Sequence, residues 1–182
     1  RMKPDAYQLR VDPKGIQISA GSIRAAFYGW QTFRQILGQA VGGQIPCLTI
    51  DDWPAIPARG VYLDIARGRV PTLAALKRMV DILARYKINQ LSLYMQHTFL
   101  FRAHPDIGRG ASPMTAEDIL ELDAYCRENF IELVPSLASF GHMETILKLP
   151  PYRRLAEDFG LGLKGYVTPD PTARAWLTEW FR

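Results

Sequence analysis

Arg59, His97 and His142 are the side chains whose types and settings could do chemistry. Arg59 stands at the start of a predicted strand, and a guanidinium offers a rigid fork of donors suited to paired sugar hydroxyls. From the residue alone, an ion pair with Asp64 or with a carboxylate just upstream serves at least as well. His142 falls in Phe140-Gly141-His142 after another predicted strand, a loop position of the kind that carries function. His97 falls in Met95-Gln96-His97-Thr98-Phe99 after a third. Tyr94, Phe99 and Phe101 could line a cleft there, although aromatic residues at strand ends are more often core. The acidic pairs Asp51-Asp52, Glu117-Asp118 and Glu157-Asp158 read as a connector, a helix start and a loop, where solvated charge is the simpler role. Three histidines and Asp106 raise zinc, but His97 and His104 lack paired ligand spacing and no third ligand is close, so no metal and no cofactor is expected. Gly108-Arg109-Gly110-Ala111-Ser112 lacks the lysine and the strand–loop–helix setting of a phosphate cradle, and reads as a lid or a plain loop.

These residues need elements to hold them. Ala6 to Val11 and Gly15 to Ser19 alternate apolar and polar residues around the turn Asp12-Pro13-Lys14-Gly15, which predicts a hairpin. A helix is expected over residues 22–37, with Phe27, Trp30, Phe33, Ile36 and Leu37 at helical spacing, and a strand over 45–50. Asp51-Asp52-Trp53-Pro54-Ala55-Ile56-Pro57 reads as a stiff connector. Beyond it strands near 60–65, 89–95 and 130–135 alternate with helices near 72–86 and 115–129, the second opened by Thr115 through Asp118 as a cap. Strand–helix alternation predicts parallel βα units. The inner strand faces, with Leu63 and Leu93 as candidates, are expected to pack against further strands.

Composition narrows the class. The 182 residues are 48% hydrophobic and 22% charged with a net charge of +4, the profile of a soluble globular chain. There is no basic block interleaved with stacking aromatics, so no nucleic-acid partner is expected, and no run long and apolar enough for a membrane span. Cys47 and Cys126 stand alone and are expected to be reduced and packed. The chain opens on Arg1-Met2-Lys3-Pro4 with no signal core and no start methionine, so it is expected to come from inside a longer protein and its compartment stays open.

Four collinear strings carry a family resemblance. Pro57-Ala58-Arg59-Gly60-Val61-Tyr62-Leu63-Asp64-Ile65-Ala66-Arg67 resembles the first barrel strand of glycoside hydrolase family 20. Leu83 to Asn89 resembles its first helix leading into the second strand. Ile131 to Ser136 with Phe140-Gly141-His142-Met143-Glu144 resembles its third strand and histidine loop, and Ala26 to Thr32 resembles the helix of the small domain before the barrel. The resemblance implies an α/β fold: a small non-catalytic α/β domain over residues 1–52, then the first three or so βα units of a (β/α)8 TIM barrel over 53–182. It implies a retaining β-N-acetylhexosaminidase that removes terminal N-acetyl-hexosamine by substrate-assisted catalysis. Arg59 would then bind the terminal sugar, and His142, with His97 in place of an expected acid, would support the general acid. The catalytic Asp-Glu pair is expected on a fourth strand beyond Arg182, so the segment alone is expected to be inactive and to self-associate through its open sheet edge. A rival reading, motivated by Gln96 and His97, is a carbohydrate-binding or scaffolding relative that kept the barrel and lost the acids. An unrelated barrel enzyme is a third, since fold alone does not fix function.

Overall fold

In the computed structural model, residues 3–157 and 165–180 are described, so Asp158 of the third acidic pair and the terminal Arg182 lie outside the described residues. The hairpin forms as β1 (Tyr7–Asp12) and β2 (Gly15–Ala20), in register from Tyr7 opposite Ala20 to Asp12 opposite Gly15. Gly15 sits at φ 139°, and the Asp12 carboxylate accepts the Lys14 N–H at 2.8 Å to close the turn. A third strand, β3 (Leu48–Asp52), pairs antiparallel with the other side of β1. Asp51 and Asp52 are therefore strand residues rather than connector. Gln8 donates to Asp51 at 2.9 Å and Tyr7 to Asp52 at 2.6 Å, partners more than 40 residues away that local pattern does not reveal.

Helix α1 (Ile23–Leu37), capped by the Ser22 hydroxyl, covers one face of this sheet. Its buried stripe is Ala25, Tyr28 and Phe33, packed on Tyr7, Leu9 and Val11. Trp30 and Leu37 are about half exposed (48% and 50%), so the large residues at helical spacing mark the buried face only in part. Close approach decides the matter: a Cβ on Gly29 would meet Ile18 Cγ2 at 2.8 Å and Tyr7 Cδ2 at 3.0 Å. Cys126 is buried as expected, whereas Cys47 is exposed.

The second sheet is parallel, with β4 (Gly60–Asp64), β5 (Gln90–Met95) and β6 (Glu132–Leu137) as neighbours in that order. Helices α2 (Leu73–Arg85) and α3 (Ala116–Glu128) connect them, opened by Thr72 and by a Thr115–Asp118 capping box. Both helices end alike. Ile88 N–H bonds to Leu83 C=O and Lys87 N–H to Ala84 C=O, just as Ile131 bonds to Cys126 and Phe130 to Arg127. These are Schellman motifs, and the left-handed position usually given to glycine is taken by Lys87 (φ 58°) and Phe130 (φ 56°).

Leu76, Val80, Leu91, Leu93 and Leu122 are at most 1% exposed and form the core between sheet and helices, each worth about 1.5–3 kcal/mol of burial. Leu93 and the partly buried Leu63 thus face the helices, which corrects the expectation that they face further strands. Side chains alternate along a strand, so the opposite face carries Tyr62, Asp64, Tyr94 and Ser136. Tyr62 is 62% exposed there, and its hydroxyl lies 2.8 Å from that of Ser136 across the intervening strand. After β6, helix α4 (Glu144–Leu147), a 3-10 helix (Pro150–Leu155) and α5 (Pro171–Trp180) gather Phe101, Ile107, Met143 and Trp176 into a further cluster.

Candidate functional site

Parallel strands put their C-terminal ends along one edge, and the loops that leave that edge carry Arg67, His97 and His142. Arg59 precedes β4 and lies at the opposite edge. The structure therefore brings His97 and His142 to a common edge and separates Arg59 from both.

Arg59 is held by the protein itself. Its Nε donates to Lys87 C=O at 2.9 Å, Nη1 to Ile56 and Pro57 C=O at 2.7 and 3.0 Å, and Nη2 to the Tyr28 hydroxyl at 3.1 Å. Its backbone N–H donates to Asn89 Oδ1 at 2.8 Å. A fork so occupied has no free pair of donors for sugar hydroxyls, and it ties α1 to the parallel sheet instead. Two partners, the Lys87 carbonyl on the Schellman turn and the Tyr28 hydroxyl on α1, are about 30 residues away in sequence, which is why an ion pair with Asp64 looked equally natural in the sequence.

Beside it, Lys87 Nζ donates to the Tyr7 hydroxyl at 2.8 Å and to Asp52 at 2.9 Å. Burial pushes the Asp52 carboxyl up, but hydrogen bonds from Tyr7 and Lys87 outweigh it and hold the group below the usual carboxylate range. Burial alone would lower Lys87, yet its bonds to Tyr7 and Asp52 leave its ammonium more firmly protonated than usual. This edge is a fastening between layers.

The C-terminal edge is built differently. Arg67, on the loop after β4, pairs with Asp64 at 2.5 Å and lies 5.6 Å from the centre of the Tyr94 ring. Its side chain is 58% exposed, which leaves donors free for a ligand. Asp64 is desolvated slightly, but the Ala66 N–H and the Arg67 guanidinium prevail and keep it ionised below the ordinary range. Tyr94 stacks near Tyr62 at 5.9 Å, and its hydroxyl accepts from the buried Gln96 amide at 3.0 Å. A guanidinium held by a carboxylate over an aromatic ring, flanked by tyrosines and an amide, can grip vicinal hydroxyls of a pyranose and stack on its apolar face. Arg67 is a candidate that sequence reasoning did not single out. It closes the string already quoted for β4, and counting it to the C-terminal side of that strand would have found it.

His97 Nδ1 is buried without a hydrogen-bond partner, and burial pushes its imidazole pKa below 6.5, favouring the neutral ring. His142 is exposed at φ 60°, two residues before α4. Phe140 and Tyr166 stack beside it at 5.5 Å. Of the aromatic residues expected near the cleft, Tyr94 is on the open face, whereas Phe101 is buried in the cluster around α4 and α5. Among the described residues no group of His, Cys, Asp and Glu has the arrangement to hold a metal ion. No helix among them is long and apolar enough to cross a membrane.

Comparison with known proteins converges on one family. The model of glycosyl hydrolase family 20, domain 2, matches residues 1–53, and that of the glycosyl hydrolase family 20 catalytic domain matches residues 57–170. The chain is 32% identical over 165 residues to a beta-hexosaminidase of Akkermansia muciniphila, covering 80% of this chain and 33% of that protein. It is 27% identical to a beta-hexosaminidase of Porphyromonas gingivalis, covering 82% of this chain and 22% of that one. The chain thus spans a third or less of the length of these relatives. Among solved structures, a beta-N-acetylhexosaminidase superposes with a TM-score of 0.84 at 27% identity, covering 99% of this chain and 44% of that chain. A Flavobacterium johnsoniae chitobiase superposes with a TM-score of 0.86 at 25% identity, over 97% of this chain and 29% of that chain.

Proposed function

The chain belongs to glycosyl hydrolase family 20, and from that premise we propose that the protein containing it is a retaining β-N-acetylhexosaminidase acting on N-acetyl-hexosamine glycosides. The observation that carries this reading is the coincidence of the catalytic-domain match over residues 57–170 with the edge where Arg67, Asp64 and Tyr94 form a sugar-gripping group. Residues 1–52 are the small non-catalytic α/β domain in this reading. Residues 53–182 supply roughly the first three βα units of a (β/α)8 barrel, whose sites lie at C-terminal strand ends.

The mechanism is substrate-assisted: the acetamido oxygen attacks the anomeric carbon while an aspartate orients it and a neighbouring glutamate protonates the leaving oxygen. Both acids are assigned to a fourth strand after Arg182, so the 182-residue segment alone is inactive. The sugar grip expected of Arg59 is assigned here to Arg67, because the donors of Arg59 are taken. His142 and His97 remain the candidates for orienting the general acid. Among the described residues the outer strands β4 and β6 have no further strand beside them, which supports self-association of the isolated segment through an open sheet edge.

Assay of the full-length protein on aryl N-acetyl-glucosaminide and aryl glucoside tests the proposal. Cleavage confined to the acetamido sugar is expected, and equal cleavage of both would contradict acetamide participation. One observation favours a second reading, a non-catalytic carbohydrate-binding or scaffolding relative: Gln96 and His97 stand where an acid was expected. Sugar binding without cleavage of either glycoside would select it.

A further inference from the structure

The turn Gly108-Arg109-Gly110-Ala111-Ser112 takes no part in the grip by Arg67, yet the loop that carries it is built as a packed unit rather than a flap. Residues 98–114 close on themselves: Leu100 N–H donates to Met114 C=O and Met114 N–H to Thr98 C=O, each at 2.9 Å. Phe101, Ile107 and Met114, at most 7% exposed, anchor the loop in the core clusters. His104 ties it to later chain, lying 3.1 Å from the Tyr152 hydroxyl and 3.5 Å from the Glu179 carboxylate. Within the turn, Arg109 pairs with Asp106 at 2.6 Å and Ala111 N–H closes on Gly108 C=O at 2.9 Å.

The two glycines of the turn serve differently. Both are left-handed, Gly108 at φ 83° and Gly110 at φ 80°. A Cβ on Gly110 would meet nothing within 4 Å, so only the backbone conformation asks for glycine there. A Cβ on Gly108 would meet the His97 carbonyl oxygen at 2.6 Å and the Pro113 ring at 3.1 Å. A main-chain carbonyl cannot swing aside as the end of a side chain can, so a larger residue at 108 must displace His97 itself. His97 borders a cleft of about 440 Å³ shared with the loop after β4, and Gly110, Ala111 and Ser112 line it too. Arg69, from the loop after β4, is the one permanently charged residue lining it among the described residues.

We propose that Gly108 is a positioning residue for His97: its bare α-carbon sets how far the imidazole stands into this cleft, and the packed loop holds that setting. The effect on rate rests on the glycosidase reading, in which His97 orients the general acid; the contact between the two residues does not.

Gly108→Ala, Gly110→Ala and Pro113→Ala in the full-length protein provide the test, read first by NMR of labelled histidine. The His97 signal is assigned by its loss in His97→Gln. In wild type the ring should titrate below 6.5, because burial disfavours its charged form. Gly108→Ala should push His97 toward water and bring that midpoint back toward 6.5. Pro113→Ala opens the same gap without adding an atom, so it should move the midpoint the same way by less, and it decides the matter where Gly108→Ala does not fold. Gly110→Ala carries the same left-handed penalty without the contact and should leave the midpoint where it is. On aryl N-acetyl-glucosaminide, Gly108→Ala should lower kcat at least about tenfold with KM within about twofold, since a misplacement of about 1 Å can cost about a hundredfold. Combined with His97→Gln it should cost no more than His97→Gln alone, because both act through one ring. Three results would overturn the proposal: full multiplication of the two losses, a midpoint that neither Gly108→Ala nor Pro113→Ala moves, or one that Gly110→Ala moves equally. If wild type cleaves neither aryl glycoside, the glycosidase reading falls, and the His97 titration alone decides whether Gly108 sets its position.

Discussion

Arg59 and Arg67 flank the same five-residue strand, and everything around them differs. At the N-terminal edge Arg59 meets three backbone carbonyls and a tyrosine hydroxyl, and Lys87 meets Tyr7 and Asp52. At the C-terminal edge Arg67 has one carboxylate, one ring and open solvent. The first edge satisfies its donors internally and fastens two sheets together; the second holds them in reserve. In a parallel sheet the two ends are built from the same residue types, so only the count of partners tells a strut from a site.

The comparison can be broken at either end. In the full-length protein, Arg67→Ala should lower kcat/KM on aryl N-acetyl-glucosaminide by about a hundredfold or more, the loss of a bidentate charged contact, while the melting temperature barely moves. Arg59→Met should do the opposite. Stripping the donors from carbonyls at the layer junction should cost about 2 kcal/mol in denaturant titration, with kcat/KM within about threefold of wild type. A large kinetic loss in Arg59→Met with normal stability would restore Arg59 as a sugar ligand and end the contrast.

Two smaller effects sharpen it. Lys87→Met should cost about 1–2 kcal/mol, because Asp52 and Tyr7 lose their shared cation. The pH dependence should change as well. Asp52 is depressed in the folded state, so its stabilisation is full above its unfolded value near 3.8 and is lost as pH falls through the folded value. Removing Lys87 should move that acid limb upward, which a series of melts from pH 5 to pH 2 would show. The smallest effect belongs to the other edge. His97 is depressed too, but as a base it resists protonation when folded, so stability is full above pH 6.5 and declines as pH falls below it. His97→Gln should flatten that shallow decline, and an unchanged slope would mean that the imidazole is hydrated.

Much of the architecture could be read in advance, because it is written in local pattern. Thr115 and Asp118 announce α3, Asp12 to Gly15 announces the hairpin, and the apolar runs near residues 60, 90 and 131 become the three parallel strands. What could not be read is orientation. Strands with apolar residues on both faces give no sign that Leu93 meets helices while Tyr94 stays open. Asp51 and Asp52 look like part of the connector until β3 is seen to include them and Asp52 is seen bonded to Tyr7 and Lys87. The site was legible least: Arg59 and Arg67 both stand in the string around β4, and telling the braced guanidinium from the open one required knowing which end of β4 faced the loops of β5 and β6.

The two Schellman turns have a consequence for how such a protein can be recombined. Lys87 and Phe130 each occupy a left-handed position where glycine would relieve strain of about 1 kcal/mol. Each side chain instead reaches the small layer: Lys87 to Tyr7 and Asp52, Phe130 to the Phe27 ring at 5.0 Å. Glycine at either turn would relax the backbone and release the neighbour. The two units are therefore poor candidates for shuffling as independent cassettes. A foreign small layer grafted before Arg59 would inherit two strained turns whose side chains point at nothing, unless it also brought equivalents of Tyr7, Phe27 and Asp52.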